Sequence, residues 1–259
     1  MELHVVMFST GLTSAVVLEM VQKRYGNDNT LALMTDTKWE DEDNYRFGRE
    51  VIKHLNAKLE YRADGRTPED IWLQTRYLVG PTGAPCTRKL KVEQTLKFIR
   101  EQDKEIRLHF GITADEEHRC HGLERRYGAM GVRCEFPLLD CLASNRDLVD
   151  RVQKGWGIRR PRMYDLGFKH ANCGGRCVKA GVSHFKHLLK IWPDKFTQIA
   201  GIERRFRELT ESDTSILVRT VNGESVKYPL ERLEADYMCN EGLQCEFAFD
   251  EETPCECVF

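Results

Sequence analysis

His4-Val5-Val6-Met7-Phe8-Ser9-Thr10-Gly11-Leu12-Thr13-Ser14-Ala15-Val16-Val17-Leu18-Glu19-Met20 is the stretch that decides the fold. Its apolar run at residues 5–8 reads as a short buried strand, and from Ala15 the positions Val16, Val17, Met20 and Val21 recur at helical spacing. Between them lies a turn of small hydroxyl residues around Gly11. A strand that turns directly into a helix leaves the first-turn amides without intrahelical partners, at the positive end of the helix dipole. A glycine in that turn lets an anion approach the backbone. The stretch therefore reads as a phosphate site. The plainer alternative is a helix cap at Thr13 or Ser14 beside an ordinary turn glycine. A Walker loop is excluded, because neither its glycine spacing nor its Lys-Ser/Thr ending is present.

Outward from this stretch, strands and helices alternate. Residues 31–37 read as a second strand, 43–55 as an amphipathic helix, 57–62 as a third strand, 92–99 as a helix and 106–112 as another buried strand. Residues 65–88 are expected to be loop-rich. This alternation predicts an α/β fold with a mostly parallel twisted sheet and helices on both faces. Ligands of such sheets bind at the carboxyl ends of the strands, where residues 9–14, Asp36-Thr37 and 113–119 all fall. Beyond Leu139 the pattern changes. A helix is expected over 145–156 with Ser144 or Asn145 as its cap, then a tight loop over 164–181, helices over 182–189 and 196–209, and a hairpin over 216–228 turning at Asn222-Gly223. The expected organisation is a nucleotide-binding α/β domain over 1–142 and a helical, cysteine-rich region over 143–259 that packs on the site, a small C-terminal α+β part.

With 31% charged residues and 41% hydrophobic residues in 259, the chain suits a soluble globular protein, and no apolar run is long enough to span a membrane. The start of the chain carries no signal-peptide pattern, so a cytoplasmic location is expected. A net charge of −2 does not advertise nucleic-acid binding, although basic stretches at 88–91, 119–126 and 159–162 leave a nucleic-acid acceptor open.

Ten cysteines in a chain of this kind point to metal or redox chemistry rather than to disulfides. Cys173-Gly174-Gly175-Arg176-Cys177 is the clearest motif: two glycines let both thiols face one centre, and Arg176 favours their thiolate form. Cys86 follows a Gly-Pro loop and is the natural third ligand. Three cysteines suit an iron–sulfur cluster with one iron left open better than a four-ligand zinc site. A reactive pair or structural cysteines are the alternative. Cys120, Cys134 and Cys141 read as small buried apolar residues.

Ser9, Gly11 and Ser14 resemble the PP-loop of the N-type ATP pyrophosphatases, Ser-Gly-Gly-x-Asp-Ser, with Thr10 and Thr13 departing from it. Further segments follow in the order of the phosphoadenosine phosphosulfate (PAPS) reductase-like family. Thr35-Asp36-Thr37 stands for Asp-Thr-Gly, Cys86-Thr87-Arg88-Lys89 resembles Cys-Cys-x-x-Arg-Lys, and the run from Gly111 to Arg119 resembles Gly-x-Arg-x-x-x-Ser-x-x-Arg. Phe136-Pro137-Leu138-Leu139-Asp140 and the cysteine loop after Tyr164-Asp165-Leu166-Gly167-Phe168 complete the resemblance, which covers residues 4–200.

This resemblance implies an adenine nucleotide α-hydrolase-like fold with ATP, Mg2+ and a 4Fe-4S cluster as cofactors. Ser9, Thr10, Gly11, Leu12, Thr13, Ser14 and Gly111 would surround the nucleotide, and Asp36 would assist magnesium or nucleotide positioning. Arg88, Lys89 and Arg119 would neutralise charge on the reacting phosphate, and Cys86, Cys173 and Cys177 would hold the cluster. The sulfonucleotide reductases of the family carry a C-terminal Glu-Cys-Gly-Leu-His, whereas this chain ends Cys255-Glu256-Cys257-Val258-Phe259. The resemblance therefore favours the cluster-dependent PP-loop sulfur transferases, which work through an adenylated intermediate, with reduction of PAPS or adenylylsulfate as the alternative. A nucleotide-binding module with a structural metal is a third reading. Cys257, with Cys255, would supply a fourth ligand, relay sulfur or close over the site. A sulfur donor such as a cysteine desulfurase, and a second copy forming a homodimer, are the implied partners.

Overall fold

The computed structural model of the protein describes residues 2–80, 83–141, 144–221 and 223–240. The opening apolar run is strand β1 (Glu2–Met7), and four further strands join it: β2 (Thr30–Asp36), β3 (Leu59–Ala63), β4 (Glu105–His109) and β5 (Arg133–Glu135). Their order is β3-β2-β1-β4-β5 and every pairing is parallel. The α/β expectation therefore holds. β1 is central, and its alternating side chains feed two cores. Val6 and Phe8 pack with helix α1 (Leu12–Tyr25) and with Phe47 and Val51 of α2 (Glu42–His54). Val5 and Met7 pack on the other face with Phe98, Leu108, Phe110 and Tyr127.

Three local differences from the sequence reading have physical causes. Residues 65–88 are not all loop: α3 (Pro68–Thr75) starts at a capping box in which Thr67 and Asp70 bond each other's backbone, with proline at the first helical turn. Next, the helix expected over 92–99 begins earlier, as a π-helical turn (Thr87–Val92) that runs into α4 (Glu93–Arg100). The short strand β5 follows α5 (Cys120–Gly128) and is too brief for a periodic signal.

After α6 (Pro137–Cys141), a capping box at Ser144 and Asp147 opens α7 (Asn145–Asp150), and a π-helical turn (Arg151–Gly155) extends it. Leu148 and Val152 of this segment join the core beneath α1. Then come α8 (Arg162–Asp165), α9 (Val182–Ile191), α10 (Pro193–Thr210), the antiparallel hairpin β6 (Leu217–Val221) and β7 (Glu224–Tyr228), and α11 (Leu230–Asn240). A third core joins Phe185, Leu188, Phe196 and Phe206 of these helices to Trp39, Trp72 and Leu78 of the first half. The fully buried Glu203 carboxylate accepts from the Ile216 amide (2.6 Å) and the Leu230 amide (2.7 Å), clasping the hairpin to α10. Buried Asp41, the cap of α2, accepts two bonds from Arg162 (both 2.8 Å) and one from Lys195 (3.0 Å). These contacts hold α8 and α10 over the carboxyl ends of the strands. Among the described residues, no helix is long and apolar enough to cross a membrane.

Candidate functional site

The strand order reverses at β1, which has β2 on one side and β4 on the other, and ligand crevices open at the carboxyl ends of strands at such a point. The turns after β1 and β4 meet there. A Cβ on Gly111 would lie 2.8 Å from the Thr13 carbonyl carbon and 2.9 Å from the Ser14 nitrogen, so only glycine admits this approach. No side chain caps α1 at its Gly11 N-cap. The Ser14 hydroxyl instead donates to the Gly11 carbonyl at 3.0 Å, and the Tyr164 hydroxyl lies 3.4 Å from where a Cβ on Gly11 would sit. Thr10, where the PP-loop pattern has glycine, is left-handed at φ 58°. Its hydroxyl donates to the Ser9 carbonyl at 2.6 Å, and its methyl occupies the space a side chain on Gly48 would need.

Above this turn lies an open cleft of about 1150 Å³. Ser9, Gly11, Leu12, Thr13, Ser14 and Gly111 form one wall. Thr113, Asp115 and Glu116 form the next, and Tyr164, Lys169, His170 and Asn172 close the third. The cleft is thus lined by hydroxyls and first-turn amides on one side and by a lysine on the other, a surface suited to an anion near a cation.

A second, narrower cavity lies beside it. Cys86, Cys173 and Cys177 all line it, together with Trp39, Trp72, Lys91 and Arg176. Cys173, Gly174 and Gly175 are left-handed in succession, with φ of 55°, 55° and 83°. A Cβ on Gly175 would come within 2.9 Å of Leu188. The two glycines thus let the chain coil tightly enough to bring both cysteines to one wall. The Cys173 amide donates to Glu40 Oε2 at 2.6 Å, and Glu40 lies 3.8 Å from Lys91 Nζ. Arg176 stacks 4.1 Å over the Trp39 ring and donates to the Trp39 carbonyl (2.9 Å) and to Gln198 (2.7 Å); burial lowers its pKa. Trp39 Nε1, Trp72 Nε1 and Arg176 Nε are buried with no hydrogen-bond partner among the described residues.

Residues 3–125 match the family model of the phosphoadenosine phosphosulfate reductase domain. That stretch is similar to the PAPS reductase domain. Two solved structures show some similarity. A phosphate complex of PAPS reductase from Candida auris is 16% identical, with 66% of this chain and 80% of that chain covered at a TM-score of 0.44. A predicted subunit of tRNA methyltransferase from Methanocaldococcus jannaschii is also 16% identical, with 62% and 91% covered at a TM-score of 0.38. No curated protein matches the chain.

The expected residues fall into three groups. Ser9, Gly11, Leu12, Thr13, Ser14 and Gly111 line the cleft, with Thr10 buried just behind, and the three expected thiol ligands share the second cavity. Among the described residues, however, no three His, Cys, Asp or Glu side chains form a group that would hold a metal ion. Arg119 is buried and reaches the cleft through its ion pair with Glu116. Arg88 and Lys89 line neither cavity: both pair with Glu93, at 3.7 and 2.9 Å, and the Arg88 side chain is 80% exposed. Asp36 does not line the cleft either. It accepts from the Tyr45 hydroxyl (2.6 Å), the Tyr61 hydroxyl and the Lys38 amide (2.8 Å), and burial with this carboxylate beside them raises both phenol pKa values, that of Tyr61 to about 12. Burial pushes the Cys120 and Cys134 thiols up to about 11 and about 12, so both are inert, whereas Cys141 is exposed. Cys257, like Cys245 and Cys255, lies outside the described residues. Sequence reasoning missed Lys91, Lys169 and His170. Only the π-helical turn, which faces Lys91 inward, would have revealed the first.

Proposed function

We propose that the protein is an ATP-using sulfur transferase: the PP-loop holds ATP, an acceptor oxygen is adenylated, and sulfur replaces the adenylate. The observation that carries this reading is that consecutive residues border the two cavities, Asn172 on the nucleotide cleft and Cys173 on the thiol cavity. An acceptor activated at the cleft would thus lie beside the sulfur chemistry. In the first step the acceptor oxygen attacks the α-phosphate and pyrophosphate leaves. A sulfur nucleophile at the hydrosulfide level then attacks the acceptor carbon, the carbon–oxygen bond breaks, and AMP departs with that oxygen. Ser9, Thr13 and Ser14, with the amides that start α1, would bind the phosphates. Lys169 would stabilise charge on the phosphate under attack. Asp115, which lines the cleft as Asp36 does not, would be the carboxylate that holds magnesium.

The residue types of the second cavity would suit an iron–sulfur cluster better than a single ion, although the three thiols are not gathered into a metal-holding group in this structure. Three thiols contribute, two of them buried, and three unsatisfied N–H donors from Trp39, Trp72 and Arg176 match the hydrogen-bond needs of cluster sulfurs. Cys86, Cys173 and Cys177 would hold the cluster, which supplies iron and inorganic sulfide when bound. The positive charges of Arg176 and Lys91 would offset the charge of thiolate ligands, while the two indoles and the shared core exclude water.

Anaerobic reconstitution with iron and sulfide tests this reading. A broad visible absorption band with bound iron and labile sulfide is expected, lost in Cys173→Ala. Incubation with ATP and candidate acceptors should then release AMP and pyrophosphate together with a thiolated product. A colourless protein that retains no iron or sulfide would exclude the cluster, and sulfite released from PAPS would identify a reductase instead.

A further inference from the structure

Strand β3 is the longer of the two edges of the parallel sheet, five residues against three in β5. The Ala32 amide of β2 donates to the Lys58 carbonyl at 2.9 Å, and Ala32 is level with Leu59. In a parallel ladder this bond sets the alternation. The N–H and C=O groups of Glu60 and Arg62 turn inward to β2, and those of Leu59, Tyr61 and Ala63 turn outward. Among the described residues, no backbone hydrogen bond reaches these three from outside the sheet. The Leu59 and Tyr61 side chains are 42% and 51% exposed, on the face that carries α1 and α2. A bond from the Tyr61 hydroxyl to Asp36 of β2 draws that ring back across the sheet rather than over its edge. Glu60 and Arg62 project from the other face, where Arg62 pairs with Glu60 and Glu101 (both 2.6 Å) and lies 5.6 Å from the centre of the Phe98 ring. Charges on an edge strand ordinarily block pairing with another chain. The order of these two makes one partner an exception. In a second β3 turned antiparallel about Tyr61, Glu60 faces the partner's Arg62 and Arg62 faces the partner's Glu60.

We propose that β3 docks against β3 of a second copy of this chain, joining the two sheets antiparallel about a two-fold axis at Tyr61. The outward groups then meet in register. Tyr61 exchanges both backbone bonds with the partner's Tyr61, and Leu59 does the same with the partner's Ala63. Glu60 and Arg62 fall at the non-hydrogen-bonded positions, where facing side chains come closest, so each charge meets its opposite across the axis. Sliding one strand by two residues sets Glu60 against the partner's Glu60, or Arg62 against the partner's Arg62. Like charges disfavour both slips, and a single register is specified. In that arrangement the strands of the two copies run in opposite directions, so the two clefts open at opposite ends of the joined sheet and neither copy enters the other's. One short strand from each copy makes a small contact, and the dimer is reversible and concentration-dependent.

Sedimentation velocity on the full chain, over a concentration series, tests the proposal, with circular dichroism to show that each variant is folded. The wild-type protein should pass from monomer to dimer between about 1 and 100 µM. Leu59→Pro removes an outward amide that β2 does not use and should weaken the dimer at least about ten-fold. Glu60→Lys turns its position against the partner's Arg62, and Arg62→Glu turns its position against the partner's Glu60, so each variant alone should stay monomeric over that range. Mixed in equal amounts, the two variants present opposite charges to each other at both positions, and the dimer should return. A variant that had merely lost its fold could not restore its counterpart. Three results overturn the proposal. Wild-type protein that stays monomeric leaves the edge to a strand of some other protein. A dimer that persists in both charge variants forms through a different face. Folded monomeric variants whose mixture remains monomeric rule out the pairing about Tyr61.

Discussion

Thr10 holds a conformation its side chain disfavours, and the surroundings explain why it persists. A left-handed β-branched residue costs about 1–2 kcal/mol. Here its hydroxyl bonds the Ser9 carbonyl, and its methyl fills the gap left by Gly48, where a Cβ would lie 2.7 Å from Thr10 Cγ2. The two positions are therefore complementary. Gly48→Ala alone should destabilise the protein by about 1–3 kcal/mol through overpacking. Combined with Thr10→Gly, most of that loss should be recovered, and denaturant melts of the four proteins in a double-mutant cycle would measure the coupling. Additive effects would show that the methyl does not fill the gap. Gly111→Ala should be worse, since its new methyl meets PP-loop backbone rather than a side chain. ATP affinity should fall at least about ten-fold, as expected when about 1.4 kcal/mol of strain is imposed on the bound geometry. The hydroxyls and the glycine of the loop were legible as residue types. The left-handed turn at Thr10 was not, because only its tertiary neighbour at Gly48 leaves room for it.

Strong periodicity made the main elements readable: β1, α1, β2, α2 and the helices after the cysteine loop lie close to where their apolar spacing places them. Elements defined by local hydrogen bonding were harder. α3 was hidden in a segment rich in glycine and proline, although Thr67-Pro68-Glu69-Asp70 carries both halves of its capping box. The turn at Thr87–Val92 was beyond reach. Its π-helical winding rotates the basic run so that Lys91 lines the thiol cavity while Arg88 and Lys89 pair with Glu93. This difference between neighbouring lysines can be measured. A buried ammonium favours the thiolate form of a nearby cysteine, so Lys91→Gln should slow alkylation of the cavity thiols at neutral pH and reduce iron retention after reconstitution. Lys89→Gln should leave both as they are. Equal effects from the two variants would mean that the turn winds differently.

Across the whole molecule, the convergence of three polar turns on one sheet edge followed from element order, but the closure of the two cavities did not. That closure depends on contacts far apart in sequence, such as Asp41 with Arg162 and Lys195, and on Trp39 and Trp72 sharing a core with helices more than a hundred residues away. A second long-range cluster lies under the C-terminal end of α1 and governs stability rather than chemistry. His4 Nδ1 and His109 Nε2 are 3.0 Å apart and buried, Tyr25 stacks on His4 at 3.5 Å, and Glu135 lies 3.4 Å from His109. Arg107 binds both Glu2 and Glu135, and Arg24 adds further positive charge. Burial lowers the pKa of both histidines, that of His109 from 6.5 to about 4, against the pull of Glu135. Between those values the unfolded chain binds more protons than the folded one, so stability falls as pH drops from 6.5 towards 4. One proton corresponds to about 1.4 kcal/mol per pH unit at most. Asp43, held at about 2 by Arg46, acts lower: its contribution is complete above its ordinary 3.8 and is lost between 3.8 and 2. Urea melts should therefore show a decline of about 2 kcal/mol between pH 6.5 and pH 5 in the wild-type protein. His109→Gln, which keeps a polar partner for His4 without a titrating ring, should flatten that decline while leaving the loss below pH 4 in place. An unchanged slope in the variant would assign the acid sensitivity to other groups.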